Sequence, residues 1–451
     1  MKRLDELIPG RMSTQPEDLL CYGFDASGLE AAPSAVVWPQ SVDDVVKVVK
    51  FAFDNNVPII PRGAGSGMTG GTVPTKGAII LSLERMNKIL EIDRENMTAL
   101  VEPGVINGKF QRELERHKLF YPPDPASMHF CTIGGNVAEN SGGPRALKYG
   151  VTRDYVMGLE AVLPDGRIIH SGVRTAKGVV GYDLTRLLAG SEGTLAVITK
   201  IRLKVLPMPD DVVTLLALFR EVEKAGDAVR LILGQGIIPR TLEFLDSGAV
   251  HAVEKYNPVG FPQDAAALLL IELDGHPQGI AKEAERVSDV CRKLQGEVIM
   301  AEDEAAREKI WKSRRAVSPA LYHLKPAKIS EDIVVPRNRI TEMLGILKRL
   351  GNELGITIIN FGHAGDGNIH VNLMIDRNNK EEYEKAQRLV AGIFRATLDL
   401  GGTISGEHGI GLTKSAYISM EIPPAELELM KKIKGVFDPK NILNPGKIFP
   451  R

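Results

Sequence analysis

The chain has 451 residues, of which 43% are hydrophobic and 25% charged, and 56 Lys and Arg against 57 Asp and Glu leave a net charge of −1. These proportions exclude a collagenous, largely disordered or disulfide-stapled protein, and the length suits two large domains or about three of ~150 residues. With no basic surplus, nucleic acid is not an expected partner, and three dispersed cysteines (Cys21, Cys131 and Cys291) are too few for an iron–sulfur cluster, which takes about four thiolates.

Residues 1–30 read as a short arm with early acidic residues and no secretory signal, and the three cysteines fit a reducing compartment, so a cytoplasmic location is expected. No apolar run approaches the ~20 residues that span a bilayer, so no transmembrane segment is expected. From Ser41 the pattern turns helical, with Val42, Val45, Val46, Val49 and Phe53 on one face and Ser41 as the cap. A strand over 57–60 runs into PRGAGSGMTGG (61–71). Strands over 78–83 and 98–101 and a helix over 106–117 follow, then a second glycine-rich stretch from PPDP (122–125) to Gly150. Strands at 156–163 and 167–170 flank Pro164-Asp165-Gly166, a hairpin signature. A strand over 195–205 ends at Pro207-Met208-Pro209, which marks a domain boundary. Beyond it, strands at 213–219, 267–273, 297–301, 328–335, 356–361 and 369–375 alternate with amphipathic helices at 221–235, 278–294, 304–322, 338–353 and 380–400, a pattern of α+β sheet layers. The expected domains are 1–208, 209–410 and a C-terminal helical segment 411–451.

Glycine makes up 45 of the 451 residues, and it is clustered. Glycines directly after a buried strand let the backbone approach a ligand, and successive N–H groups form a concavity for anions. A pyrophosphate is the natural ligand; a merely flexible loop would not need such strong flanking elements. The loop 61–71 is neither a P-loop, since no Gly-Lys-Ser/Thr ends it, nor a dinucleotide fingerprint in a βαβ unit. The second cluster, TIGGNVAENSGG (132–143), lies some 70 residues on. Two such loops suggest one large cofactor held along its length.

Three of the nine histidines fall in two short glycine-rich motifs. In GHAGDGNIH (362–370), Asp366-Gly367 is a favoured two-residue hairpin turn. Centred there, the hairpin places His363 opposite His370, with Cβ atoms ~5 Å apart, so that both imidazoles reach one metal. Glu407-His408, in SGEHGIG (405–411), offers the nearest third ligand. Two His and one carboxylate suit Zn, Fe or Mn with open positions. On the helix containing WKSRR (311–315), Arg314 and Ser318 share a face; on the strand KISED (328–332), Lys328, Ser330 and Asp332 share a side. Pattern alone reads these as a solvated helix face and an edge lysine.

The two glycine clusters, DYVMGLEAVLPDG (154–166), GSEGTLAVIT (190–199), GHAGDGNIH, SGEHGIG and LNPGKIF (443–449) together resemble the vanillyl-alcohol-oxidase (PCMH-type) flavoproteins, over nearly the whole chain. The likeness is to the group that holds D-lactate dehydrogenase, the D-type chain of glycolate oxidase, and D-2-hydroxyglutarate dehydrogenase. It implies an α+β protein: a two-subdomain PCMH-type FAD-binding domain, a substrate (cap) domain with a ferredoxin-like sheet, and a C-terminal segment returning to the FAD domain. It implies that Pro61, Arg62, Gly63, Ala64, Gly65, Ser66, Gly67, Thr69 and Gly70 wrap the FAD pyrophosphate. Asp124, Thr132, Gly134, Gly135, Asn136, Asn140, Gly142 and Gly143 line the flavin, with Tyr149 and Thr152 near the cofactor. Glu192, Gly193 and Ile198 hold the adenosine end, and Asn444 is also a cofactor residue. Some members bind FAD covalently through a His in the first loop; Ser66 stands there, so FAD is expected to be non-covalent. By the same resemblance His363, His370 and Glu407 hold a divalent metal (Zn, Fe or Mn), His408 is the base, and Arg314, Ser318 and Lys328 bind a substrate carboxylate. Arg315, where many relatives carry an acid, is a departure. The implied reaction is oxidation of a D-2-hydroxy acid, D-lactate first, with glycolate and D-2-hydroxyglutarate as alternatives. Electrons then pass to a partner protein, an electron-transferring flavoprotein or an iron–sulfur subunit, and a homodimer is left open. An alkyl-dihydroxyacetone-phosphate-synthase-like transferase shares the scaffold, but its run of histidines is replaced here by Glu407-His408-Gly409.

Overall fold

The computed structural model describes residues 2–258, 260–262 and 264–450. It divides into two compact units: Met1–Gly142, Val151–Met208 and Glu407–Arg451 form the first, and Gly143–Gly150 with Pro209–Gly406 the second. The expected boundaries neither detach residues 143–150 from the first unit nor end the second at Gly406.

In the first unit, the helix Val42–Asn55 starts where Ser41 Oγ accepts from the Asp44 N–H (3.2 Å) and stops at Asn56 in the left-handed conformation, φ 53°. Val45, Val48, Val49 and Ala52 form its buried stripe, packed with Val37, Ile59 and Leu81. Each such valine contributes about 1.5–3 kcal/mol on leaving water. The strand Ile59–Arg62 begins two residues later than the apolar run suggests, because the Val57 N–H closes on Ala52 O (2.9 Å) and Pro58 has none to give. With Met12–Ser13, Ala35–Val37 and Ile79–Ser82 it makes one sheet. A second, antiparallel sheet runs Ile89–Asp93, Thr98–Val101, Val197–Lys204, Val156–Val162, Ile168–Gly172. The C-terminal chain returns to this unit: the Ile59 N–H donates to Ile442 O (2.7 Å) and the Asn444 N–H to Ile59 O (2.8 Å).

The second unit is built on β1 (Asp211–Phe219), β2 (Thr241–Asp246), β3 (Ala267–Gly275), β4 (Glu297–Met300), β5 (Ala327–Val334), β6 (Thr357–His363) and β7 (Asn368–Ile375). These strands pair antiparallel in the order β4-β1-β3-β2-β6-β7-β5. Strand β2 and the helix Ser247–Tyr256, which Asp246 caps through the Ala249 N–H (2.8 Å), are absent from the sequence-based elements. Side chains two apart share a face of a sheet, and one face here changes character along its strands. Leu216, Leu218, Leu245, Leu268, Leu270, Ile359, Phe361 and Met374 occupy one end, under the helices Ser247–Tyr256 and Glu304–Leu321. Continuing the same alternation, Thr214, Glu272, Glu243, His363, His370 and Asp332 occupy the other end. Polar side chains from several strands therefore meet in one patch beside an apolar core.

Candidate functional site

The first unit brings the two glycine clusters together. A Cβ on Gly63 would lie 2.3 Å from Thr132 Oγ1, so the loops touch only because residue 63 has none. Thr132 Oγ1 accepts from the Gly135 N–H (3.2 Å) and starts the short helix Ile133–Glu139, while a Cβ on Gly134 would meet Pro103 at 2.5 Å. Gly65 and Gly70 hold positive φ, 69° and 79°, which favours glycine. Among the described residues, the backbone N–H groups of 64–70 donate to no protein acceptor. A row of unspent donors in a glycine cradle fits the pyrophosphate of a dinucleotide. Arg62 braces this loop from below, its Nη1 donating to Phe24 O (2.7 Å) and Thr72 Oγ1 (2.9 Å).

Several expected cofactor residues are tied into the scaffold by their side chains. Asn136 Oδ1 accepts from Asn107 Nδ2 (2.9 Å), Asn140 Oδ1 from the Arg153 N–H (2.8 Å), and Thr152 Oγ1 donates to Ser141 O (2.7 Å). Asn444 Nδ2 donates to Gly71 O (2.9 Å) and Glu192 O (2.7 Å). Glu192 accepts from the Ile410 and Gly411 N–H groups (2.8 and 2.7 Å), holding the stretch after His408. Burial, then the neighbouring Glu192 carboxylate, pushes the Glu139 carboxyl well above its ordinary range; burial also raises Glu192. Thr69 Oγ1 donates to His408 O (3.2 Å), and a Cβ on Gly142 would lie 2.6 Å from Glu407 Oε2. Asp124 is buried, as is Ile198, and Glu192 and Gly193 both hold positive φ, 51° and 66°. Tyr149 belongs to the second unit, where its hydroxyl donates to Asp274 Oδ2 (2.8 Å) beside the ion pair of Lys148 with the same carboxylate.

The second unit brings His363 and His370 together, but not by the expected turn. The ladder of β6 with β7 pairs Phe361, not His363, with His370, so the connection spans 364–367 rather than Asp366-Gly367 alone. A shift of two residues leaves every side chain on its original face. The rings meet edge to face with centroids 5.1 Å apart, a ring nitrogen of each lying within 4.8 Å of the other's. Both are buried. His363 stands opposite Glu243 across the ladder of β2 with β6, and its Nδ1 is 2.5 Å from Glu243 Oε1. His370 stands opposite Asp332 across the ladder of β5 with β7, its Nδ1 3.6 Å from Asp332 Oδ1. Asp332 also accepts from Asn368 Nδ2 (2.6 Å) and the Gly406 N–H (2.8 Å), so it orders the segment just before Glu407. Two buried imidazoles backed by carboxylates are a donor set that fits a divalent cation.

Arg314 projects from the helix Glu304–Leu321 onto the same patch, with Nε 2.8 Å and Nη2 2.5 Å from Glu243 Oε2 and its guanidinium 4.9 Å from the Phe361 ring centroid. Burial alone would raise the Glu243 carboxyl, but the adjacent His363 and Arg314 hold it below its ordinary value. Lys328 Nζ donates to Ser318 Oγ (2.8 Å), and burial pushes its ammonium down to about 8. Arg315 turns to Glu308. Glu243, which contacts both His363 and Arg314, is the member of this patch that sequence reasoning missed.

A family model described as "FAD linked oxidases, C-terminal domain" matches residues 208–448, and one described as "FAD binding domain" matches 33–172. The chain belongs to the FAD-linked oxidases. It is 45% identical over 436 residues to glycolate oxidase subunit GlcD of Bacillus subtilis, covering 96% of this chain and 92% of that protein. It is 37% identical over 454 residues to D-lactate dehydrogenase of Archaeoglobus fulgidus, covering 99% of each. Among solved structures, p-cresol methylhydroxylase with substrate bound matches with a TM-score of 0.83 at 20% identity, covering 100% of this chain and 96% of that one. Alkyldihydroxyacetonephosphate synthase matches at 0.74 and 21%, covering 97% and 82%. These two likenesses show the PCMH-type α+β fold alone. Membership makes the chain a flavoprotein oxidoreductase with FAD as its cofactor. Among the described residues no helix is long and apolar enough to cross a membrane.

Proposed function

We propose that this FAD-linked oxidase oxidises a short D-2-hydroxy acid, D-lactate first, to the 2-oxo acid and passes the electrons to a partner protein. The observation that carries this reading is the patch on the second unit's sheet, where Arg314 and Lys328 accompany His363 and His370. A carboxylate beside a hydroxyl is the ligand that two cations and a metal-binding pair together recognise. The Nε–Nη2 edge of Arg314 is committed to Glu243, which leaves Nη1 for the substrate carboxylate, and Lys328 supplies the second charge. His408 takes the proton of the 2-hydroxyl, since a neutral imidazole carries a ring-nitrogen lone pair that can accept it. His363, His370 and Glu407 would hold Zn, Fe or Mn, whose positive charge favours the alkoxide form of the alcohol. FAD supplies the hydride acceptor.

Relatives named for D-lactate and for glycolate support the substrate class, and the 45% identity to a protein named for glycolate makes that acid the second reading. The word "subunit" in the name of the Bacillus subtilis relative supports assembly with other chains, and the partner proposed here as electron acceptor is an electron-transferring flavoprotein or an iron–sulfur subunit. With Ser66 in the first loop, the FAD is non-covalent, and acid precipitation should leave all of it in the supernatant. Anaerobic mixing with D- and L-lactate, glycolate and D-2-hydroxyglutarate tests the activity. Rapid bleaching by D-lactate is expected, and a flavin spectrum indifferent to all four overturns the proposal.

A further inference from the structure

Glu243 is wholly buried on a strand between two others, and both of its oxygens are engaged by residues of the proposed substrate and metal machinery. A carboxylate in such a place carries a large desolvation cost unless each oxygen is satisfied. Here the satisfaction is divided: Oε1 faces His363 Nδ1 at 2.5 Å, and Oε2 faces Arg314 Nε and Nη2 at 2.8 and 2.5 Å. A carboxylate can only accept, so the short contact to His363 fixes the proton on Nδ1 and leaves Nε2 with its lone pair for a metal.

We infer that Glu243 is a positioning residue that couples the metal to the substrate: one carboxylate fixes the tautomer and ring plane of the ligand His363 and, through its other oxygen, the orientation of the carboxylate anchor Arg314. The inference rests on the reading of His363 as a metal ligand given above. The sheet register makes the arrangement specific. Glu243 is the direct cross-strand partner of His363, so neither side chain must bend to meet the other. The opposite histidine repeats the plan at longer range, with Asp332 as the cross-strand partner of His370. Four adjacent strands thus present carboxylate, imidazole, imidazole, carboxylate in a row. A carboxylate present only to neutralise Arg314 would need no second contact of this length on an imidazole.

The test is Glu243→Gln in the FAD-loaded protein, read by competition of Zn²⁺ and Mn²⁺ against a chromophoric chelator. Glutamine keeps the volume but replaces one accepting oxygen by an amide that donates. The expected result is metal affinity lower by about 10–100-fold, with FAD content equal to wild type. A purely structural role would lower the melting temperature and leave the metal affinity alone. If Glu243→Gln does not accumulate as a folded flavoprotein, Glu243→Gln with Arg314→Gln removes the uncompensated buried cation, and the same loss of affinity is expected. Wild-type metal affinity in either folded variant overturns the coupling while leaving the metal site standing. A wild-type protein that takes up neither ion overturns the metal reading itself, and this inference with it.

Discussion

In the first unit the candidate cofactor site is made of backbone. Gly63, Gly65 and Gly70 are defined by side chains they lack, and the groups offered to a ligand are N–H donors that nearly every residue carries. The second unit reverses this: its site consists of the side chains of Glu243, Arg314, Lys328, His363 and His370, and the backbone serves only to register them. The difference matches what FAD and the proposed hydroxy acid would each require. A dinucleotide is long and bears its charge on phosphate oxygens, so a row of amides suffices. A hydroxy acid is small, and only charged groups at fixed spacing distinguish it from water.

The comparison implies that the two sites fail differently. The largest effect is expected from His408→Ala, which should slow anaerobic flavin reduction by ~10²–10⁴-fold if proton removal is its main role. The FAD content should not change, and an unchanged rate of bleaching would remove His408 from that role. His370→Ala should abolish stoichiometric metal while sparing FAD, as metal analysis beside the flavin absorbance will show; equal metal content would break the assignment. Gly63→Val should do the reverse. Its branched side chain must displace Thr132, and overpacking of about 1–3 kcal/mol weakens FAD by on the order of ten- to a hundredfold, with the metal retained.

The smallest effect concerns pH. Lys328 titrates at about 8 because burial disfavours its charge. The ammonium is present below that value and lost above it, so substrate affinity should fall above pH 8, by up to about tenfold per unit. The KM profile should rise there, and Lys328→Arg, whose charge persists to far higher pH, should flatten it. The same group affects stability in the opposite sense. Between about 8 and its ordinary value near 10.4 the unfolded chain binds the proton and the folded chain does not, so this contribution to stability grows as pH rises.

Much of this was legible in the residues. Ser41 and the spacing of Val42, Val45 and Val49 give the helix Val42–Asn55 and its cap, and the glycine clusters mark their loops because only glycine leaves no side-chain trace in a ladder or a cradle. Other features were not legible, for identifiable reasons. Strand β2, reading TLEFLD, is buried along most of its length in the middle of a sheet and so lacks the polar–apolar alternation that betrays a half-exposed strand. Its Glu243 therefore looked like any surface acid, although six residues rich in Leu, Phe and Thr between Pro239 and the Asp246 cap are a signal of a kind. The hairpin register was two residues out because Asp366-Gly367 is a strong turn pair, whereas β6 also has to keep pairing with β2 up to His363. The period of the strand protected the conclusion: a two-residue slip left both histidines on one face. Tyr149 was placed near the cofactor by the resemblance, and no local pattern shows that its hydroxyl donates to Asp274, 125 residues away.

Stripping the purified flavoprotein of divalent metal with a chelator and mixing it anaerobically with D-lactate, before and after restoring Zn²⁺ or Mn²⁺, shows whether the ion is needed for flavin reduction. Bleaching that is lost on stripping and recovered on restoration, with FAD bound throughout, is the result expected. Flavin that is reduced at the same rate with and without the ion would contradict it.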